Sequence, residues 1–276
     1  MRTLIRLLVA FTFAAASFAA CPQAASPGAY LGFDRNDYPG DAAMVTLRKT
    51  FSFTGYWLGP PPGEKTNSWH GKRRFLESQK FGLLLLYSAP DSRRLRSKAS
   101  AAKIGTADAA RAAGSAKAEG FSPNAIIFLD IEEGGRLTDP YHAYIGAFVE
   151  GLAKAGFRAG VYCSGMVVDE GDGHTIITSD DIRSHLSPRQ ISYWVYNDAC
   201  PPSPGCTTSQ SLPALAASGV SYAVVWQFVR SPRDDESAVH CSGYAPDKNC
   251  YVALDTARQW HLDMNVASSP DPSHTH

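Results

Sequence analysis

The sequence has no surplus of charge of either sign: 26 Lys and Arg stand against 26 Asp and Glu in 276 residues. A nucleic-acid partner is not expected, because counterion release from phosphates needs a clear excess of basic side chains. Charged residues make up only 19% of the chain while aromatics reach 11%, the opposite of a disordered composition. Past the first twenty residues, no apolar run attains the roughly 18 residues of a membrane span. The body of the chain is therefore expected to be soluble. Familiar catalytic signatures are missing as well. No Gly-x-Gly-x-x-Gly turn follows the first strand-like run, and there is no His-Glu-x-x-His pair or Gly-x-Ser-x-Gly elbow. Dinucleotide enzymes, zinc peptidases and serine hydrolases lose support accordingly. No cofactor and no metal are expected. The loop holding Asp169, Glu170, Asp172 and His174 lacks the regular oxygen spacing of a calcium loop and reads as solvated.

What is present begins with an address. Arg2 and Arg6 flank an apolar stretch, Leu4 to Ala20, that closes in small residues. That order is a secretory signal over residues 1–20, so the protein is expected to be exported: periplasmic, lipid-anchored or extracellular. Phe18-Ala19-Ala20-Cys21 resembles a lipoprotein box, in which Cys21 would carry the lipid and tether the domain to a membrane face. Ordinary cleavage near Ala19 or Ala20 is the alternative, and both stay open. Residues 21–29 read as a linker. Cys200 and Cys206 bracket one late loop and Cys241 and Cys250 another, which suggests local disulfides in an oxidising compartment. A four-cysteine zinc site is the rival, but gaps of five and eight intervening residues fit it poorly. Cys163, inside an apolar run, reads as a buried free thiol.

Short apolar runs alternate with helix-like stretches throughout the rest. The runs are Tyr30–Phe33, Phe53–Leu58, Phe81–Tyr87, Ala125–Glu132, Arg158–Cys163, Ile191–Asn197, Tyr222–Phe228 and Trp260–Asn265. Helical patterns cover Ala42–Lys49, Trp69–Lys80, the Ala-rich Thr106–Glu119, Tyr141–Ala155, Ser179–Leu186 and Ser211–Ala217. Strand–helix alternation implies a parallel sheet. Eight such units over about 240 residues match a single α/β domain, a (β/α)8 TIM-type barrel, here over 30–267. An open doubly wound sheet is the runner-up. The polar residues 268–276 read as a flexible tail.

In such a barrel, chemistry sits where the strands end. Asp34 ends the first run, Asp130 and Glu132 end the fourth, and Asp263 lies near the end of the eighth. Residues two apart on a strand share a face, so Asp130 and Glu132 point together while Ile131 and Glu133 point away. Glycosidic cleavage requires such a cluster, with one carboxyl kept protonated for the leaving oxygen and another ionised. Crowding like charges raises the pKa of one member. Glu132, the outermost, is the natural donor. Asp34, Asp130 and Asp263 are then charge stabilisers and positioning groups. The bland alternative is that these acids cap helices or pair with Arg35 and Arg136. Tyr56, Trp57, Tyr87, Tyr162, Tyr193, Trp194, Tyr196 and Trp226 lie on or near strand ends and offer faces for sugar rings, with Gln227 as a hydrogen-bonding partner. About half of these aromatics are expected to be core. Gly59-Pro60-Pro61-Pro62-Gly63 reads as a stiff wall, and Arg93, Arg94, Arg96 and Lys98 as a basic run on a solvated loop.

Taken in order, Gly32-Phe33-Asp34, Asp130-Ile131-Glu132, Trp194 and Tyr196, Trp226-Gln227-Phe228 and Asp263-Met264-Asn265 resemble the glycoside-hydrolase-like family known as domain of unknown function 1906. That family is related to the family 25 lysozyme-type muramidases. The resemblance spans nearly the whole chain after the signal. It implies a barrel with Glu132 as proton donor, aspartates as electrostatic partners, and an N-acetyl group of the substrate as a possible nucleophile. The substrate class it implies is a cell-envelope amino-sugar polymer, peptidoglycan foremost. A catalytically inactive glycan-binding barrel of the envelope is the alternative. The first motif, Asp34-Arg35-Asn36-Asp37-Tyr38-Pro39-Gly40, and the long fifth and seventh loops depart from the family pattern.

Overall fold

The structure, a computed structural model, describes residues 29–186, 191–199, 212–231 and 261–275. The signal and linker up to residue 28, Cys21, and the four cysteines expected in disulfides lie outside them.

Eight strands close into one barrel. They are β1 (Tyr30–Asp34), β2 (Phe53–Trp57), β3 (Gly82–Ser88), β4 (Ile126–Asp130), β5 (Arg158–Ser164), β8 (Ser192–Tyr196), β9 (Ala223–Val229) and β10 (Asp263–Ala267). Helices follow the first five: α1 (Asp41–Leu47), α2 (Arg73–Ser78), α3 (Lys98–Ala118), α4 (Asp139–Lys154) and α5 (Thr178–Leu186). Between β5 and α5 stands a hairpin of β6 (Val167–Gly171) and β7 (His174–Ile177), packed outside the barrel sheet. The expected helix at Ser211–Ala217 is, among the described residues, a 3-10 turn at Leu215–Ser218.

Two departures from an all-parallel barrel matter. β10 runs antiparallel to both of its neighbours, β9 and β1. Asp263 therefore begins its strand rather than ending it, yet pairs with Asp34 at the same rim. The acidic loop 169–174 is a hairpin tip, with Asp172 at φ 52° and Gly173 at φ 76° in a two-residue turn. Left-handed φ at both positions suits the twist of paired strands.

The barrel interior is filled by large rings set against glycines on adjacent strands. A Cβ on Gly32 would collide with the Phe53 ring, and one on Gly160 with the Phe128 ring. Phe128 also meets Trp194 edge-on at 6.1 Å between centroids. Outside the barrel, α3 lies close to α4 because Gly105 leaves room for the Tyr144 carbonyl and Gly151 for Ala109. Ser97 starts α3 with a capping box to Ser100, which carries this helix eight residues further upstream than its Ala-rich core suggests.

The segment expected to be a flexible tail is packed against the barrel floor. Where β3 and β4 have not yet met, Leu83 N donates to Asp271 Oδ1 (3.0 Å), Leu85 N to Ser273 Oγ (2.8 Å) and Ile126 N to Ser273 O (2.8 Å). Ser273 is fully buried. Strand starts carry N–H groups that need acceptors, and these polar residues supply them. No described helix is long and apolar enough to cross a membrane.

Candidate active site

Gly32 and Asp34 share the inward face of β1, and Gly55 on β2 leaves the space that the Asp34 side chain occupies. Asp34 is 7% exposed and is held by a chain of hydrogen bonds that crosses the barrel. Asn265 Nδ2 donates to its Oδ1 at 2.6 Å and Gln227 Nε2 to the same oxygen at 3.1 Å. Trp194 Nε1 donates to Asn265 Oδ1 at 2.9 Å, and Tyr162 OH to Gln227 Oε1 at 2.7 Å. An indole N–H can only donate, so it fixes the Asn265 amide with its oxygen towards Trp194 and its NH2 towards Asp34. Burial pushes the Asp34 carboxyl up to about 7, with the Asn265 and Gln227 amides pulling it down and the Glu132 charge pushing it further up.

β4 brings Asp130 to the same level, 3% exposed. Beyond the strand end, Ile131 N still bonds Tyr162 O at 2.9 Å. The extended alternation thus continues to Glu132, which is exposed at the mouth. Ile131 is buried on the other side, and Glu133 turns away to accept from Ser92 N at 2.6 Å. Asp130 Oδ2 has no donor among the described residues. The charged group that acts on it most strongly is another carboxyl, that of Glu132, and two carboxyls can share a hydrogen bond only when one of them holds a proton. Burial drives Asp130 well above the usual carboxylate range, followed by the charges of Glu132 and Asp34 and by that shared bond to Glu132. Asp263 is pushed well up by burial and by Asp34, while a hydrogen bond from Ser231 N (2.9 Å) pulls it down. The four expected acids therefore feel one another across β1, β4 and β10.

The aromatics divide. Tyr162, Trp194 and Tyr196 cluster inside the barrel, with centroids of 4.5 Å for Tyr162–Trp194 and 5.5 Å for Tyr162–Tyr196. Tyr196 is the more open of the three and is backed by Arg230, 5.2 Å from its ring centroid. Trp57 sits at the rim, donating to Arg35 O at 3.1 Å. Three others are not at the mouth. Tyr56 is buried outside the sheet against Trp69 and Phe121. Tyr87 packs on Phe148, accepts from Arg111, and lines a groove with Leu58, Pro60 and Asn67 that none of the four acids reaches. Trp226, on the face opposite Gln227, packs on Phe228 and donates to Asn197 O. Side chains on odd and even strand positions diverge, and these three have the wrong parity. Tyr193, likewise, meets Tyr222 edge-on outside the mouth.

Sequence reasoning named Asn265 only inside a motif and missed its task of orienting Asp34. It also missed Arg230, which grips Asp198 through two bonds of 2.6 and 3.1 Å and brings a fixed positive charge near Asp263. The polyproline wall is tied to the rim, with Pro60 O accepting from Ser88 Oγ at 3.1 Å. In the basic run Arg93 pairs with Asp91 and Lys98 with Asp139, while Arg94 and Arg96 are exposed. Cys163 is a buried free thiol.

The closed barrel gathers Asp34 and Asp130 at the carboxyl ends of parallel strands, and Asp263 joins them from the start of antiparallel β10. Residues 75–199 match the family model of the Rv2525c-like, glycoside hydrolase-like domain, the relationship that the ordered motifs suggest. The chain also resembles solved structures. An uncharacterized B. stearothermophilus protein is 22% identical, with a TM-score of 0.57 over 87% of this chain and 96% of that one. The Mycobacterium tuberculosis Tat-secreted protein Rv2525c is 16% identical, with a TM-score of 0.52 over 89% and 97%. The Clostridium perfringens spore cortex lytic enzyme SleM is 15% identical, with a TM-score of 0.50 over 89% of this chain and 69% of its own. At these identities the likeness concerns the fold. No match was found among curated protein sequences.

Proposed function

We propose that this protein is an exported glycosidase that cleaves a β-linked amino-sugar polymer of the cell envelope, peptidoglycan foremost. The observation that carries this reading is the buried Asp130 carboxyl, whose Oδ2 has no donor among the described residues and which interacts with Glu132, at the rim of a barrel where Asp34 and Asp263 also gather. Such a group keeps its proton at pH values where isolated carboxyls have already ionised. Glu132, the exposed member, passes a proton to the glycosidic oxygen as the bond to the anomeric carbon breaks. The acetamido oxygen of the substrate, or a water, forms the new bond to that carbon. Asp130 receives and returns the proton shared with Glu132 and orients the acetamido group or water. Asp34 and Asp263 stabilise the positive charge that develops on the sugar. Tyr196, half-buried, supplies a ring face at the mouth. Tyr162, Trp194 and Gln227 hold the acids in place instead of touching sugar.

Two relatives support the biological setting: one is described as Tat-secreted and another as a spore cortex lytic enzyme. With the signal-like first twenty residues, they favour export and an envelope glycan as substrate. Incubating wild type and Glu132→Gln with purified peptidoglycan, and following new reducing ends by mass spectrometry, tests the proposal. Product from the wild type and its loss in the variant are expected. No product from either protein, with both retained on the polymer, would mark a glycan-binding barrel without catalysis.

A further inference from the structure

A second cluster lies behind the loop that carries Glu132. His142 on α4 and Asp181 and His185 on α5 offer two imidazole nitrogens and a carboxylate oxygen that all lie within 4.8 Å of one another. The His142 side chain is 9% exposed and that of Asp181 1%. His142 Nε2 is paired with Asp181 Oδ2 at 3.0 Å, while His142 Nδ1 and Asp181 Oδ1 make no hydrogen bond among the described residues. Buried polar atoms are nearly always paired. His142 Nδ1 and Asp181 Oδ1 are exceptions beside the His142–Asp181 pair, and with the His185 ring they form a donor set that suits a cation. The His142 and His185 rings stack at 3.6 Å with 13° between their planes.

We propose that His142, Asp181 and His185 bind a divalent transition-metal ion, zinc foremost, as a structural brace for the β4–α4 loop. Imidazole and carboxylate donors suit zinc, at about 2.0–2.2 Å each, with water completing a tetrahedron. The cluster is wider than that, and His185, with a 43% exposed side chain, would close it by giving up the contacts of its Nδ1 with Asp181 O (2.9 Å) and Ser184 Oγ (3.2 Å). Asp181 already accepts from Leu137 N at 2.9 Å, so an ion on its other oxygen would link that loop to both helices. Arg136 Nη1 lies 3.8 Å from Asp181 Oδ1, and Glu170 holds its guanidinium through bonds of 2.8 and 2.7 Å. The arrangement escapes a reading of the sequence, because Asp181 and His185 form only a four-residue helical spacing and His142 stands far upstream.

The test uses the full chain, stripped with a chelator and titrated with zinc alone by calorimetry, and with cobalt(II) followed by visible absorption. One equivalent of zinc should bind, with the intense visible bands of tetrahedral cobalt, and zinc should raise the unfolding temperature. His185→Ala, an exposed position that leaves the fold intact, should weaken zinc binding at least tenfold and abolish the temperature rise. Asp181→Asn should do the same. A wild type that takes up no zinc, or that binds it as tightly as His185→Ala does, overturns the proposal.

Discussion

At Asp34, burial and hydrogen bonding act in opposite directions, and burial prevails. The carboxyl ionises near 3.8 in an unfolded chain and near 7 in the folded one. Between these values the native state holds a proton that the unfolded chain has released, so stability falls as pH rises through this window. The penalty is absent below about 4 and complete above about 7. Asp34→Asn keeps an acceptor for Asn265 and Gln227 without the charge. Its unfolding temperature should exceed that of wild type at pH 8 by about 4 °C or more, as for a gain of 1–2 kcal/mol in a domain of this size, and match it at pH 4. Calorimetric melting at the two values checks this. Equal melting temperatures at pH 8 would show that Asp34 bears no such strain. The acids were legible in the sequence because carboxylates at the ends of apolar strands are out of place in a core. Asn265, Arg230 and the inward or outward parity of Tyr56, Tyr87 and Trp226 were not. Each depends on which face of a strand meets the barrel axis, and neighbouring strands decide that.

Periodicity fixes an element's type more firmly than its direction. β10 alternates identically whether read up or down, so nothing in Asp263-Met264-Asn265 announces that the strand is reversed. Its acid still reaches the correct rim, since an expected strand end in a parallel barrel and an observed strand start in an antiparallel one coincide there. The Asp172-Gly173 hairpin was legible in principle from its dipeptide, but the acids and glycines around it read as a solvated loop. The closing segment was hidden for another reason: Asp271 and Ser273 look like solvent-loving residues and in fact serve as acceptors for buried strand N–H groups. Removing residues 271–276 should leave Leu83, Leu85 and Ile126 without those acceptors. At about 1–3 kcal/mol for each orphaned group, the truncated protein should lose at least about 3 kcal/mol in urea unfolding. An unchanged midpoint would contradict the role of this segment as the barrel's floor.

Across the whole molecule, three of the eight barrel strands, β1, β4 and β10, bring carboxyls from residues 34, 130, 132 and 263 to one rim, while rings and glycines fill the barrel beneath. The floor is packed and the mouth is charged, the division expected of a scaffold whose stability and chemistry lie at opposite ends. In this account Glu132 supplies the proton that lets a poor leaving group depart. The most direct measurement compares kcat/KM of wild type and Glu132→Gln on intact peptidoglycan and on a β-linked amino-sugar oligosaccharide with a nitrophenolate leaving group. General acid catalysis contributes about 10²–10⁴-fold, and nitrophenolate leaves without it. Glu132→Gln should therefore lose activity by about that factor on the polymer and stay within about tenfold of wild type on the activated substrate. Equal losses on both, or no loss on peptidoglycan, would contradict the assignment of Glu132 as the proton donor.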